Sequence, residues 1–396
     1  MEIFNLNIMK KKRIVILGST GSIGKTLINI IKKDKKKFEI VLLSAEGNFK
    51  EILNQAKLFK VKNLILNDPN SIKKIKKNKY SKKFKIYNDY KCFEKIFKKK
   101  VDYVMSSISG IEGLNPTVKI IKHTKKIAIA NKESIICGWD LIKKELDKNK
   151  TEFIPVDSEH FSIWYALRGI DKSLIDQIYL TASGGPFLYK AINKLHNIKS
   201  KQALKHPNWS MGKKISIDSA TMMNKVFEII EAKKIFDVSY KKLSILTHPQ
   251  SYVHAIIKLN NGLTKIIVHD TNMRVPIFNS LYTNCNSMKS NILNIKTLNN
   301  LNFREINNRR FPVVKILNKM PEKSSLYETI LVSINDNLVN LFLKNKIKFT
   351  DISKKMHSIL DRNEFKKFKM IKVNNINDII NLNKIVTSKI NTLLNI

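Results

Sequence analysis

Cysteine is nearly absent from this chain: Cys92, Cys137 and Cys285 are the only three in 396 residues. An odd, widely spaced set provides neither a disulfide framework nor the paired spacing of a zinc site, so a reducing compartment, the cytoplasm, is expected. No apolar run reaches the roughly 18 residues that a membrane-spanning helix needs. The basic segment from Met1 to Arg13 lacks the apolar stretch and small-residue cleavage site of a secretory leader. Acidic residues are few, 32 against 73 basic ones, which leaves a formal net charge of +41. Such a charge by itself suggests nucleic acid or an anionic membrane. Arginine, however, is also scarce, with seven residues. The lysines are scattered, in runs such as Lys73-Lys74-Ile75-Lys76-Lys77, rather than gathered on one face with interleaved aromatics. With Asn and Ile also abundant, the charge reads as compositional bias on a solvated surface. Neither nucleic acid nor membrane is expected as a partner, although the basic field should attract small anions.

The length suits two or three domains with ample core. Residues 13–17 form a β-branched run, followed by Gly18-Ser19-Thr20-Gly21-Ser22-Ile23-Gly24 and then by Leu27, Ile28, Ile30 and Ile31 at helical spacing. This reads as strand, glycine turn, helix. Further strands are expected at 38–43, 63–66, 103–105 and 126–130, with a helix over 51–59. The alternation predicts a doubly wound parallel sheet. Near residue 150 the texture changes. Phe153-Ile154-Pro155-Val156 predicts a strand ending in Asp157, and residues 178–182 predict another, ending in Ser183-Gly184-Gly185-Pro186. Residues 224–236 read as a helix and 251–257 with 264–268 as a β pair. The expected fold class is α/β: a Rossmann-like parallel sheet over 1–152, an α+β domain over 153–283, an Asn-rich linker over 284–311, and a helical bundle over 312–396, clearest at 331–343 and 349–360.

Five constellations could carry chemistry, each with a plainer alternative. The turn from Gly18 to Gly24 has G-x-x-G-x-x-G spacing; it could cradle a pyrophosphate on the following helix N-terminus, or be a ligand-free βα turn. Asp157 and Glu159, two apart at a strand end, could share a hard cation, or be solvated carboxylates. Asn224, Lys225 and Glu228 share a helical face; they could join a phosphate grip to a metal site, or form an ordinary intrahelical pair. Ser183-Gly184-Gly185 offers a hydroxyl and two backbone N–H groups to an anion, or is a plain turn. His206-Pro207-Asn208-Trp209-Ser210-Met211-Gly212 could be a lid, or a loop packed on the core. His248 and His254, near a strand, read as structural.

Together with Ala130-Asn131-Lys132-Glu133, Pro155-Val156-Asp157-Ser158-Glu159-His160 and the run from Asp218 to Lys225, these motifs resemble the deoxyxylulose phosphate reductoisomerase family across nearly the whole chain. The resemblance implies a cytoplasmic, homodimeric enzyme. It would use NADPH and Mg²⁺ or Mn²⁺ to rearrange and reduce a phosphorylated sugar to 2-C-methyl-D-erythritol 4-phosphate, in non-mevalonate isoprenoid biosynthesis. It implies that Thr20, Gly21, Ser22, Ile23, Gly47, Asn48, Asn131, Glu133 and Gly212 hold the cofactor. Asp157, Glu159 and Glu228 would bind the metal. Lys132 and Ser158 would meet the substrate's hydroxyl and carbonyl end, Ser183, Ser219, Asn224 and Lys225 its phosphate, with His206 beside them. Residues 184–213 would form the lid.

The sequence departs from that family's pattern at Ala45-Glu46-Gly47-Asn48, where a basic residue is usual. A carboxylate near the adenosine ribose favours NAD over NADP, so a weaker NADPH preference is expected, with Lys50 as a possible substitute cation. His269-Asp270-Thr271-Asn272-Met273-Arg274 replaces a Gly-x-x-Asp-Met-Arg pattern, and Val332 and Ser333 precede Asn335-Asp336 where Asn-Ala is usual. An ordinary NAD(P)-dependent dehydrogenase would share the glycine turn but would not explain three carboxylates beside a phosphate grip.

Overall fold

The computed structural model of the chain describes residues 10–77, 81–209, 211–282, 287–288 and 294–394. Cys285, Ser210 and parts of the expected linker lie outside the described residues. Seven strands, β1 Lys12–Leu17, β2 Phe38–Ala45, β3 Asn63–Leu66, β4 Lys85–Tyr87, β5 Tyr103–Ser106, β6 Lys126–Ile129 and β7 Glu152–Pro155, are built from short apolar runs. They form one sheet in the order β4-β3-β2-β1-β5-β6-β7, and every pairing is parallel. This is the expected doubly wound sheet. Its strand order reverses beside β1, and the crevice beyond the strand ends at such a point is where α/β sheets bind ligands.

The glycine turn sits in that crevice. Gly18 has φ +81°, and a Cβ there would lie 2.6 Å from the Ser107 carbonyl oxygen beyond β5. A Cβ on Gly24 would lie 2.5 Å from the Gly18 oxygen. Only glycine lets the first turn of the helix Ser22–Lys33 pack this closely on the loop. The Ser19 N–H donates to the Ser44 carbonyl at 2.8 Å, and the Gly18 N–H to Ser44 Oγ at 3.0 Å. The turn is thereby tied to the end of β2.

A second sheet has the order β11-β10-β8-β9-β12, from β8 Ile175–Ala182, β9 Leu243–Thr247, β10 Val253–Leu259, β11 Thr264–Val268 and β12 Arg304–Glu305. The C-terminal region opens with a 3₁₀ stretch, Pro312–Lys319, and continues in the helices Tyr327–Leu343, Phe349–Leu360 and Ile376–Leu393. One apolar cluster fills the face of the first sheet covered by Ser22–Lys33 and Phe49–Phe59. The other runs without a break from the opposite face into the second sheet and the C-terminal helices. The helix Lys132–Asn149 mediates this continuity, packing on both Met223–Phe236 and Tyr327–Leu343.

Three expected boundaries shift. Glu152–Pro155 pairs with β6, so the first sheet continues past residue 152. The helix Arg274–Leu281 packs back on Ser22–Lys33, burying Ile277 and Leu281 in the first sheet's cluster. In the expected linker, Ile295–Asn299 is a helical turn and β12 pairs with β9. In each case a long-range partner decides what the local polar composition does not. Among the described residues, no helix is long and apolar enough to cross a membrane.

Candidate active site

β6 and β7 are adjacent and parallel, so the residues leaving their C-terminal ends emerge side by side. β6 leads into Asn131, which caps the helix Lys132–Asn149 by accepting from the Ser134 N–H. β7 leads through Val156 into Asp157, which caps the helix Ser158–Ala166 by accepting from the Glu159 N–H. Asp157 and Glu159 therefore converge as a cap and a first-turn residue, not as alternate positions of an extended strand. Capping propensity ends the strand earlier than the apolar run suggested. The helix Met223–Phe236 brings in Glu228, which is 1% exposed. Each of Asp157, Glu159 and Glu228 offers a carboxylate oxygen within 4.8 Å of the others.

Two lysines interleave with these carboxylates. The Lys132 ammonium contacts Asp157 and lies 3.2 Å from Glu228 and 3.4 Å from Glu231. The Lys225 ammonium lies 3.0 Å from Glu159 and also contacts Glu228. Burial alone would lower the Lys132 pKa, but Asp157, Glu228 and Glu231 outweigh it and hold the amine charged, well above its ordinary value. Burial would likewise lower Lys225, yet Glu159 and Glu228 raise it. Burial would raise Glu159, but Lys225 and His254 draw it well below the usual carboxylate range. Glu228 is pushed up, first by burial and then by the Glu159 charge. Three carboxylates within reach of one another, Glu228 raised in part by the Glu159 charge, form an all-oxygen donor set that fits a hard divalent cation.

Asp157, Glu159, Glu228, Lys132 and Lys225 line one cleft together with Ser22, Ile23, Ser183, His206, Gly212, Ser219 and Asn224. The helices Lys213–Thr221 and Met223–Phe236 meet at Met222, whose left-handed φ of +73° breaks the chain between Ser219 and Asn224 and lets both face the cleft. Asn224 donates to Glu228. His206 Nδ1 accepts the backbone N–H groups of Asn208 and Trp209 at 3.1 and 3.0 Å. Its proton therefore sits on Nε2, 3.1 Å from Ser183 Oγ, and burial lowers its pKa to about 4. His206 thus offers a neutral N–H, beside Ser183, to an anion.

The expected lid is not uniform. Phe187 stacks edge-on against Phe349 with centroids 5.3 Å apart, and Leu195, Ile198 and Ala203 are buried in the core. Half-buried Trp209 rests edge-on against His254 at 6.2 Å, on the rim of the cleft. Within 184–213, His206, Trp209, Met211 and Gly212 line the cleft, whereas Leu195, Ile198 and Ala203 belong to the core.

Thr20 and Gly21 form the tip of the glycine turn, and Gly47 and Asn48 follow β2 beside it, with Asn48 capping Phe49–Phe59. The Asn131 amide is committed to protein: it donates to the Ile108 and Gly110 carbonyls as well as capping. Glu133 pairs with Lys214 at 2.6 Å and does not line the cleft. Of the two histidines read as structural, His248 is bonded to the Asn302 carbonyl and the Tyr252 N–H, whereas His254 lines the cleft 3.8 Å from Glu159. Glu231 was not anticipated, although its i,i+3 spacing from Glu228 places both on one helix face. Burial pushes its pKa up to about 7. At the departure from the family pattern, Asn272 accepts from the Arg274 N–H at 3.0 Å, the turn-capping role that an Asp would fill.

Three family descriptions match the chain: 1-deoxy-D-xylulose 5-phosphate reductoisomerase over residues 14–138, its C-terminal domain over 153–236, and DXP reductoisomerase C-terminal domain over 269–388. A 1-deoxy-D-xylulose 5-phosphate reductoisomerase of Pelagibacter ubique is 58% identical over 96% of this chain and 99% of its own length. The Zymomonas mobilis reductoisomerase in complex with NADPH superposes with a TM-score of 0.86 at 27% identity, covering 97% of this chain and 99% of that one. A DOX-P reductoisomerase in complex with NADPH, fosmidomycin and magnesium has a TM-score of 0.87 at 30% identity, covering 97% and 98%.

Proposed function

The chain belongs to the 1-deoxy-D-xylulose 5-phosphate reductoisomerase family, and from that premise we propose how its own residues serve an NADPH- and divalent-metal-dependent rearrangement and reduction of that sugar to 2-C-methyl-D-erythritol 4-phosphate, a step of non-mevalonate isoprenoid biosynthesis. The observation that carries the assignment is the convergence of Asp157, Glu159 and Glu228 within 4.8 Å, in the same cleft as Ser183, Ser219, Asn224 and Lys225. Asp157, Glu159 and Glu228 would hold Mg²⁺ or Mn²⁺. A bound ion supplies Lewis acidity and a template for the ketone oxygen and its neighbouring hydroxyl. Lys132 keeps a charged ammonium at the reacting end, beside Ser158. Ser183, His206, Ser219, Asn224 and Lys225 would hold the phosphate. This binding is remote from the reacting carbons and can drive closure of the loop around Trp209. NADPH supplies the hydride. The glycine turn, Gly47, Asn48, Asn131, Glu133 and Gly212 would form its binding region, Asn131 by shaping the 108–110 loop rather than through a free side chain.

The division into cofactor, catalytic and helical parts belongs to the same proposal, as does a reducing cytoplasm, which suits the buried free thiols Cys92 and Cys137. A homodimer would form through β11, an edge strand whose neighbours Leu263 and Tyr165 and own residue Ile266 are exposed. Sedimentation showing a monomer at micromolar concentration would remove that part.

The testing assay follows NADPH oxidation with deoxyxylulose phosphate, with and without Mg²⁺ or Mn²⁺, and traces labelled carbon into the product. An unrearranged skeleton would leave only an ordinary dehydrogenase. NADPH is expected to exceed NADH in kcat/KM by a reduced margin, because exposed Glu46 follows β2 with no arginine beside it. A Cβ on Gly47 would have its nearest neighbour, Ser71 Oγ, at 3.4 Å, and its backbone is not left-handed. Gly47→Arg should therefore fit and widen the margin by pairing with the 2′-phosphate; equal use of both nucleotides by the variant would contradict this.

Trp209→Ala should lower kcat/KM with the fold retained. A stability loss of about 3–5 kcal/mol, as for a core Trp, would instead make the residue part of the core.

A further inference from the structure

A second ionic cluster, half-buried around the buried Asp218, lies outside the cleft. The Lys214 ammonium is 2.6 Å from Glu133, 2.9 Å from Asp336 and 3.5 Å from Asp218. Asn335 donates to Asp218 at 2.8 Å, and the Lys214 ammonium lies over the Phe227 ring, 5.4 Å from its centroid. Three elements meet at this one cation. Glu133 is in the first turn of Lys132–Asn149, directly after Lys132. Lys214 and Asp218 belong to Lys213–Thr221, which begins where the Trp209 loop ends and carries Ser219. Asn335 and Asp336 belong to Tyr327–Leu343.

The cluster is poorly suited to stabilising the fold. Part-exposed ion pairs contribute little net stability, whereas the geometry of a charge-assisted set is specific. Burial opposes the charge on Lys214, but Asp218, Glu133 and Asp336 outweigh it and hold the amine well above its ordinary pKa. Glu133 is kept ionised by Lys214 against its burial. The strong pair thus joins the lid-end helix to the first turn of the Lys132 helix.

We propose that Lys214 is a positioning residue for cofactor binding. It holds Glu133 and the first turn of the Lys132 helix in register with the lid-end helix, while Asp336 anchors the pair to the C-terminal helix. The proposal rests on the reading above that Glu133 belongs to the cofactor region.

The test measures NADPH dissociation by fluorescence titration, alongside kcat and KM, for Lys214→Met, Lys214→Arg, Glu133→Gln and the double variant Lys214→Met/Glu133→Gln. Lys214→Met should raise the NADPH Kd and KM about tenfold, with kcat much less affected, and Lys214→Arg should recover most of the loss. Because the effect runs through Glu133, the double variant should bind no more weakly than Glu133→Gln alone. If Lys214→Met fails to fold, Lys214→Met/Asp336→Asn removes one charge of each sign and should show the same loss. A lowered Tm with unchanged NADPH Kd would overturn the proposal, as would losses that multiply in the double variant. Weakened binding in Glu133→Gln but not in Lys214→Met would remove the positioning role and leave the cofactor reading intact. An unchanged Kd in Glu133→Gln would remove the cofactor reading itself, and the proposal with it.

Discussion

Asp157→Asn, Glu159→Gln and Glu228→Gln should each cut turnover by at least about 100-fold, because a catalytic metal contributes several kcal/mol and each decade corresponds to about 1.36 kcal/mol. The fold should survive. Asp157, Glu159, Glu228 and Glu231 surround the ammoniums of Lys132 and Lys225, so each ammonium keeps a carboxylate partner when one is neutralised, although Glu159→Gln should lower the Tm because Lys225 and His254 favour its charge. Glu228→Gln should be neutral or mildly stabilising at neutral pH, since burial and Glu159 already disfavour its charge. Chelator should abolish activity reversibly. Mn²⁺ should raise the Tm of the parent protein but not of the variants, because a ligand stabilises only the state that binds it. NADPH binding should persist, since the glycine turn is built separately. A Mn²⁺-soaked crystal should place the three side chains about 2.0–2.3 Å from one ion. Near-normal turnover in any of the three variants, or carboxylates too far apart to share an ion with substrate bound, would end the metal assignment.

The second large effect concerns Lys225, where two roles predict opposite behaviour. If its ammonium grips the substrate phosphate, Lys225→Ala loses a hydrogen bond to a charged group, worth about 1.5–3 kcal/mol, and KM should rise roughly 10- to 150-fold. Phosphonate inhibitors should weaken in parallel. In the free protein, however, the same ammonium sits on Glu159 and Glu228. If neutralising them were its purpose, removing it would chiefly alter the metal site. Electrostatics gives the sign: loss of a neighbouring cation leaves the carboxylates more negative, so Mn²⁺ should bind at least as tightly in the variant. Weaker substrate binding with metal affinity unchanged identifies the phosphate role, whereas tighter Mn²⁺ binding with an unchanged KM identifies the neutralising one. Unchanged kinetics would leave Lys225 only its structural pairing with Glu159 and Glu228.

Local pattern alone determined much of this protein. The apolar run at 63–66, the β-branched run at 264–268 and the helix at 349–360 stand where local pattern put them, because propensity and side-chain period agree with tertiary pairing there. The glycine turn was also legible, since close backbone packing leaves no other residue type at Gly18 and Gly24. Asp157, Glu159 and Glu228 were legible as carboxylates able to share a cation, but the way the first two converge was not, because a helix cap and a strand end look alike when side chains alternate over three residues. The sequence could not show that Glu152–Pro155 completes the first sheet, that part of the expected lid is core, or that His254 lines the cleft while His248 does not. Nor could it bring Lys214 to Glu133 and Asp336, separated from it by 81 and 122 positions. Such pairings depend on which elements become neighbours, and that is decided by the shared apolar core around the helix Lys132–Asn149, whose energy is non-local and non-directional.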